Sequence, residues 1–257
     1  MANFFENFMN IKFVEMEKHC DKHGKIRIEV GFTANGEEMP WTCPLCQAEI
    51  DAEASEKIKA EEEKKLIQKY IDSNIEQEYW NKKIDDYKAV TEGQKKALAS
   101  VKEIIEKRSG KLILLGSNGV GKTMLGSCAV KELGGKILSM YEISTMIRQS
   151  YTNRAEKTEL EIVQELASIP FLVIDELGRT KGSAVELNWL SYVLDKRHVR
   201  NKPFMLLSNT HLMSKCPNKG CSMCFENYVN NDILSRLRQN SKLINVDGPD
   251  YRANTLR

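Results

Sequence analysis

The period of apolar positions changes along this chain, and the changes divide it. Over residues 1–18, Phe4, Phe5, Phe8, Ile11 and Val14 recur at spacings of about three and four, which predicts a short amphipathic helix with one face to bury. Lys25-Ile26-Arg27-Ile28-Glu29-Val30 then alternates strictly, as a half-buried strand does, and Asn35-Gly36 supplies the turn of a hairpin. Charge dominates from Glu49 to Tyr70, with Glu53/Lys57 and Glu61/Lys65 at i,i+4 and apolar residues sparse until Leu66. This stretch predicts a solvated helical spacer, continued less regularly from Ile75 to Tyr87.

From Thr91 the pattern tightens. Thr91-Glu92-Gly93-Gln94 opens a helix with Ala97, Leu98, Val101, Ile104 and Ile105 on one face, ending at Ser109-Gly110. Short apolar runs follow at 111–115, 137–140, 171–176, 203–210 and 242–246, alternating with helical patterns at 123–133, 141–151, 160–167, 184–198 and 232–238. Strands of this kind are buried on both faces, so the alternation predicts an α/β domain with a parallel sheet between helices. The expected organisation is a small module over 1–48, a charged helical linker over 49–88, and an α/β domain over 89–257 with a cysteine-rich insertion at 211–224.

Composition narrows the class. With 257 residues and 41% apolar residues the chain can bury a real core. No window approaches 18 uncharged apolar residues and the N-terminus has no secretory pattern, so a cytoplasmic protein without a membrane partner is expected. Net charge is +2, but residues 1–90 carry 13 Lys/Arg against 19 Asp/Glu (−6), whereas residues 91–257 carry 25 against 17 (+8). The two parts therefore suit different partners, the basic part being compatible with a phosphate backbone.

The chemistry concentrates after the first buried strand. Lys111–Leu115 runs into Gly116-Ser117-Asn118-Gly119-Val120-Gly121-Lys122-Thr123, which fits G-x-x-x-x-G-K-[ST]. Glycines let successive amides curl around an anion, Lys122 brings charge to the β- and γ-phosphates, and the Thr123 hydroxyl can hold Mg²⁺. Phe171-Leu172-Val173-Ile174-Asp175-Glu176 ends a strand in two carboxylates that alternation sends to opposite sides. Asp175 would complete the Mg²⁺ shell and Glu176 would polarise the attacking water. Asn209, at the end of the next strand, is placed to bond that water and the γ-phosphate. Arg236 lies on a helix whose Ile233, Leu234 and Leu237 face the core, leaving it available outside. The basic run Asp195–Lys202 reads either as a solvated helix end or as a phosphate contact.

Seven cysteines, mostly clustered, point to metal rather than disulfides in a reducing compartment. Cys20-x₂-His23 and Cys43-x₂-Cys46 offer four ligands for tetrahedral Zn²⁺ around a β-hairpin. His19 is an alternative to His23, although the shared two-residue gap favours His23. His211, Cys216, Cys221 and Cys224 could wrap a second Zn²⁺ or remain free thiols.

Taken in order, the phosphate loop, Phe171–Glu176, Ser208-Asn209-Thr210 and Ser235-Arg236-Leu237 resemble the Walker A, Walker B, sensor 1 and arginine-finger boxes of AAA+ ATPases. Thr91-Glu92-Gly93-Gln94, Asp175-Glu176-Leu177-Gly178, Asp195-x-Arg197 and Asp250-Tyr251-Arg252 further resemble the DnaC/IstB family over about residues 85–252. That resemblance implies an ATP-hydrolysing homo-oligomer, with Arg236 reaching a neighbour's γ-phosphate, that loads a DnaB-type replicative helicase on to single-stranded DNA. It also implies that the 141–151 helix faces DNA. The zinc module at residues 1–48 and the 211–224 insertion depart from the DnaC pattern. Two other readings are an IstB-like transposition helper and a zinc-anchored, nucleotide-switched adaptor with negligible turnover.

Overall fold

The computed structural model describes residues 11–152, 154–178, 183–218, 220–229, 231–239 and 241–252. They form two compact units, one ending at Leu66 and one beginning at Ile67.

In the first unit, β1 (Lys12–Cys20) and β2 (Gly24–Phe32) pair antiparallel in a continuous register from Lys12 opposite Phe32 to Cys20 opposite Gly24. Two expectations are corrected here. Residues 12–18 are strand rather than helix, while Phe4, Phe5 and Phe8 lie outside the described residues. Val14 sits opposite Val30 and Met16 opposite Ile28, so the partner strand supplies the apolar contacts that decide the conformation. The hairpin also lies elsewhere than expected: its turn is the Cys20–His23 knuckle itself. Asn35-Gly36 does reverse the chain, with the Gly36 amide donating to Thr33 O at 2.9 Å, but only an isolated bridge from Phe32 to Glu38 follows.

Helix α1 (Pro44–Asp72) begins within the second cysteine pair and has no buried residue, as its charge pattern predicts. Its Lys65 pairs with Glu61 at 3.1 Å. The regularity ends at Asp72, and residues 73–88 do not behave as a free spacer. Two single 3₁₀ turns, Gln77–Tyr79 and Ile84–Asp86, carry Ile75 and Tyr87 into the core of the second unit. Asn74 Nδ2 donates to Ile137 O at 2.9 Å, and Lys131 Nζ donates to Tyr79 O at 2.8 Å.

The second unit is a parallel five-stranded sheet in the order β4-β5-β6-β3-β7, formed by β3 (Lys111–Leu115), β4 (Gly135–Ser139), β5 (Phe171–Leu177), β6 (Phe204–Ser208) and β7 (Ser241–Asn245). Every residue of β3 and β6 is buried. Alternation divides their side chains: Leu112, Leu114, Met205 and Leu207 face one layer, Ile113, Leu115, Phe204 and Leu206 the other. The first layer contains α2 (Glu92–Lys107), α3 (Lys122–Leu133) and the 73–88 segment. The second contains α4 (Met140–Ser150), α5 (Glu159–Ser168), α6 (Ala184–Val199), the short α7 (Phe225–Tyr228) and α8 (Asn231–Arg238). Helices α2, α4, α5 and α6 each start in a capping box: Thr91/Gln94, Ser139/Glu142, Thr158/Glu161 and Ser183/Glu186.

The basic run at 195–202 is corrected in part. Arg197 is fully buried, its guanidinium donating to Leu166 O at 3.0 Å, Ile169 O at 2.8 Å, Pro170 O at 3.2 Å and Pro203 O. It ties the end of α5 to the start of β6 from inside, so it is neither a solvated helix-end charge nor a phosphate contact. Burial draws its pKa down to about 10.

Candidate functional site

The site is built where β3 feeds α3. Gly121, with φ +89°, caps α3, and a Cβ there would lie 2.5 Å from the Tyr87 ring. Gly119, with φ +78°, lies against Asp250, whose Oδ1 would be 1.7 Å from an added Cβ. Both positions combine a left-handed backbone with a crowded neighbour, so only glycine fits.

Lys122 follows, and its ammonium is held by three acceptors: Gly116 O at 2.8 Å, Ser117 O at 2.8 Å and Asn209 Oδ1 at 2.9 Å. Burial draws its pKa down to about 8, against a partly offsetting attraction from Asp175. An arriving phosphate would restore the lost charge stabilisation. On the next residue, Thr123 Oγ1 donates to Asp175 Oδ2 at 2.7 Å. Burial raises the Asp175 pKa, while bonds from Thr123 and from the Glu176 amide (2.6 Å) pull it back. A hydroxyl and a carboxylate touching beside a phosphate loop are hard oxygen donors of the kind Mg²⁺ takes.

Strand β5 is irregular at this point. Its pairing with β6 shifts register between Ile174 and Leu177, and Glu176 adopts φ 57°. Simple alternation therefore does not describe the two carboxylates: a bulge with a left-handed glutamate re-aims the chain. Asp175, Glu176 and Asn209 all line one cleft of about 1080 Å³ together with Lys122 and Thr123. Its far wall comes from the 71–88 segment, including Tyr79, Lys82 and Tyr87.

Two groups at this cleft carried no role in the sequence reading. Tyr87 donates its hydroxyl to Val120 O at 2.8 Å, fixing the loop from beneath. The 246–252 segment crosses above it, where the Tyr251 amide donates to Gly119 O at 3.0 Å and Tyr251 and Arg252 line the cleft. The Tyr87 and Tyr251 rings meet edge to face with centroids 6.2 Å apart. Thr91 Oγ1 donates to Asp247 O at 2.8 Å, so the residue that caps α2 and the segment that follows β7 meet beside one loop. Glycines that leave no room were the only local signal for these contacts.

Arg236 is not among the described residues lining the cleft. Its Nε donates to Asp195 Oδ1 at 3.1 Å and Nη1 to Asp232 O at 3.1 Å, with about a third of the side chain exposed.

In the first unit Cys20, His23, Cys43 and Cys46 bring their ligand atoms within 4.8 Å of one another. His23 Nδ1 lies 3.8, 3.6 and 3.4 Å from the three sulfurs, and Cys20 Sγ lies 3.6 Å from Cys46 Sγ. Edges of a tetrahedral Zn²⁺ site with such ligands measure about 3.5–3.8 Å. His23 Nε2 contacts Glu49 Oε1 at 3.3 Å, the carboxylate support that zinc-bound imidazoles use. Hydrogen bonds at the knuckle, the His23 amide foremost, lower the Cys20 pKa to about 6, whereas contact with Cys20 pushes Cys46 up to about 11. A divalent cation would let all three thiols ionise together. His19 is exposed on β1, outside this group. In the second unit His211, Cys216, Cys221 and Cys224 are likewise gathered within 4.8 Å.

Comparison with known proteins agrees with this architecture. The sequence is 25% identical over 207 residues to the replicative helicase loader DnaC of Escherichia coli (strain K12), covering 77% of this chain and 82% of that one. Among solved structures, the DnaC helicase loader superposes with a TM-score of 0.53 at 19% identity, covering 67% of this chain and 100% of the other. DnaI superposes with 0.52 at 21% identity, covering 67% and 94%. These likenesses identify the second unit as an AAA+ fold. Among the described residues no helix is long and apolar enough to cross a membrane. The model of IstB-like ATP binding proteins matches residues 59–257, and the chain belongs to that family.

Proposed function

We propose that this protein is an ATPase that loads a DnaB-type replicative helicase on to single-stranded DNA in the cytoplasm. The observation that carries the ATPase reading is the convergence of Lys122, Thr123, Asp175, Glu176 and Asn209 on one cleft at the carboxyl ends of β3, β5 and β6. The loading reading is supported by the relatives named replicative helicase loader.

In this reading the Gly116–Thr123 amides and Lys122 bind the β- and γ-phosphates, and Lys122 exchanges its carbonyl partners for phosphate oxygens. Thr123 and Asp175 would hold Mg²⁺, which when bound neutralises charge on those oxygens. Asn209, released from Lys122, orients the attacking water, and Glu176 accepts its proton. Arg236 of one copy completes the site of the next in a homo-oligomer, so turnover depends on assembly and ATP times the hold on the helicase. The Cys20/His23/Cys43/Cys46 group would hold a structural Zn²⁺. Among the described residues of its unit only Ile28, Val30 and Cys43 are buried hydrophobics, too small a core to fold unaided.

The test is co-purification with the host replicative helicase, combined with ATPase assays with and without helicase and single-stranded DNA. Retention of the helicase and stimulated turnover are expected. Zero turnover in every combination overturns the ATPase reading in favour of a nucleotide-switched adaptor. No helicase binding, with strand transfer by a transposase stimulated instead, overturns the loader reading in favour of a transposition helper.

A further inference from the structure

We propose that His211, Cys216, Cys221 and Cys224 form a second Zn²⁺ site, which fixes the segment joining the end of β6 to the helices that lead to Arg236. The spacing in the chain is irregular, but the folded geometry is not. His211 Nε2 lies 3.7 Å from Cys221 Sγ and 3.5 Å from Cys224 Sγ, the edge lengths of a tetrahedron with zinc–sulfur and zinc–nitrogen bonds of about 2.3 and 2.0 Å. One sulfur, that of Cys224, belongs to a fully buried residue, while the other three ligand residues are half-buried. That arrangement gives the closed shell of a structural site.

Backbone bonds hold the ligands in register. The His211 amide donates to Met223 O at 3.0 Å and the Phe225 amide to His211 O at 2.9 Å, so His211 and Cys224 pair like strand residues. Asn218 O accepts from the Cys221 amide and Cys221 O from the Cys224 amide, both at 3.1 Å, folding Cys221-x₂-Cys224 into a tight knuckle. Asn227 Nδ2 donates to Cys221 O at 2.9 Å, and Glu226 Oε2 accepts from the Met213 amide at 2.9 Å. These bonds position two thiols and the imidazole about one point, and the Cys216 amide, donating to Met213 O at 3.1 Å, holds the third thiol within the same cluster.

The place of the site gives it a consequence. His211 lies two residues beyond Asn209, and the intervening Thr210 is buried and bonded to Ser208. Cys224 caps α7, and Tyr228, Val229 and Ile233 carry the chain through the core to Arg236. One ion would thus tie the strand end that bears Asn209 to the approach of the helix that bears Arg236. This coupling rests on the roles given to those two residues under the proposed function; the metal site itself does not.

The experiment uses the full chain without a histidine tag, with zinc measured by atomic emission. Cys43→Ser/Cys46→Ser should retain one zinc per chain, and its cobalt-substituted form should absorb as a tetrahedral site with three thiolates. Absence of zinc from this variant, folded by circular dichroism, overturns the proposal even if Cys216→Ser/Cys221→Ser does not fold. Stripping that remaining zinc should lower stimulated turnover several-fold while leaving affinity for an ATP analogue within about twofold. Unchanged turnover overturns the coupling. Turnover absent from the unmutated protein is instead a failure of the ATPase reading and leaves the metal count to stand alone.

Discussion

Thr123 and Asp175 stand 52 residues apart in sequence and touch through a 2.7 Å hydrogen bond from Oγ1 to Oδ2. The contact joins the first turn of α3 to the end of β5, two strands' connections brought together by a parallel sheet. Both groups are oxygen donors, and neither makes a metal site alone. Thr123→Ala should therefore weaken the magnesium dependence of nucleotide binding about as much as Asp175→Asn, and the double variant should be little worse than either. A double-mutant cycle on ATP-analogue affinity at varied Mg²⁺ measures this; fully additive losses would contradict the shared site.

Glu176→Gln should bind ATP with near-normal affinity while turnover falls by about 10²-fold or more, the usual worth of a general base. Lys122→Ala should instead lose binding. Equilibrium binding of a fluorescent analogue beside steady-state hydrolysis separates the two; normal turnover by Glu176→Gln would remove that residue from the mechanism.

Lys122 gives the site a pH dependence. Its pKa of about 8 in the free protein lies below the ordinary lysine value of 10.5 because burial penalises the ammonium. A bound phosphate raises it again, so above pH 8 binding takes up a proton and affinity should fall, by up to about tenfold per unit. Calorimetry at pH 8.5 in two buffers of different ionisation enthalpy should register proton uptake. Without ligand the sign reverses: the unfolded chain holds more protons between 8 and 10.5, so this group's contribution to stability rises with pH through that window.

Arg236→Ala should leave the melting temperature almost unchanged, because the side chain is partly exposed and its Asp195 partner is at the surface. Stimulated turnover should nevertheless collapse. Mixing Arg236→Ala with Glu176→Gln protein should restore part of it, since one supplies an intact cleft and the other an intact arginine. No recovery at any mixing ratio would argue against a site shared between copies.

Arg197→Ala should behave oppositely. It leaves several buried carbonyls without donors and opens a cavity between α5 and β6, at a cost of about 3 kcal/mol. Thermal unfolding should report the loss, with nucleotide affinity of the remaining folded protein little changed.

The sequence alone determined the elements whose cause is local. Buried strands announced themselves as apolar runs, α2 by its capping box and α1 by charge at helical spacing. The phosphate loop was legible because an anion cradle requires glycines, a lysine and a hydroxyl at fixed separations. Tertiary structure decided everything that depends on a partner distant in sequence. Val14 and Met16 became strand because Val30 and Ile28 lie opposite them, and Arg197 went inside because carbonyls from two other elements converge on it. Residues 73–88 became a wall of the cleft through contacts with Ile137 and Lys131 that no periodicity encodes. His211 and three irregularly spaced cysteines became one cluster because a backbone pairing brought Cys224 beside the histidine. Periodicity reports which way a side chain faces along its own element, whereas a site is made where different elements end together, and only the folded chain fixes that meeting.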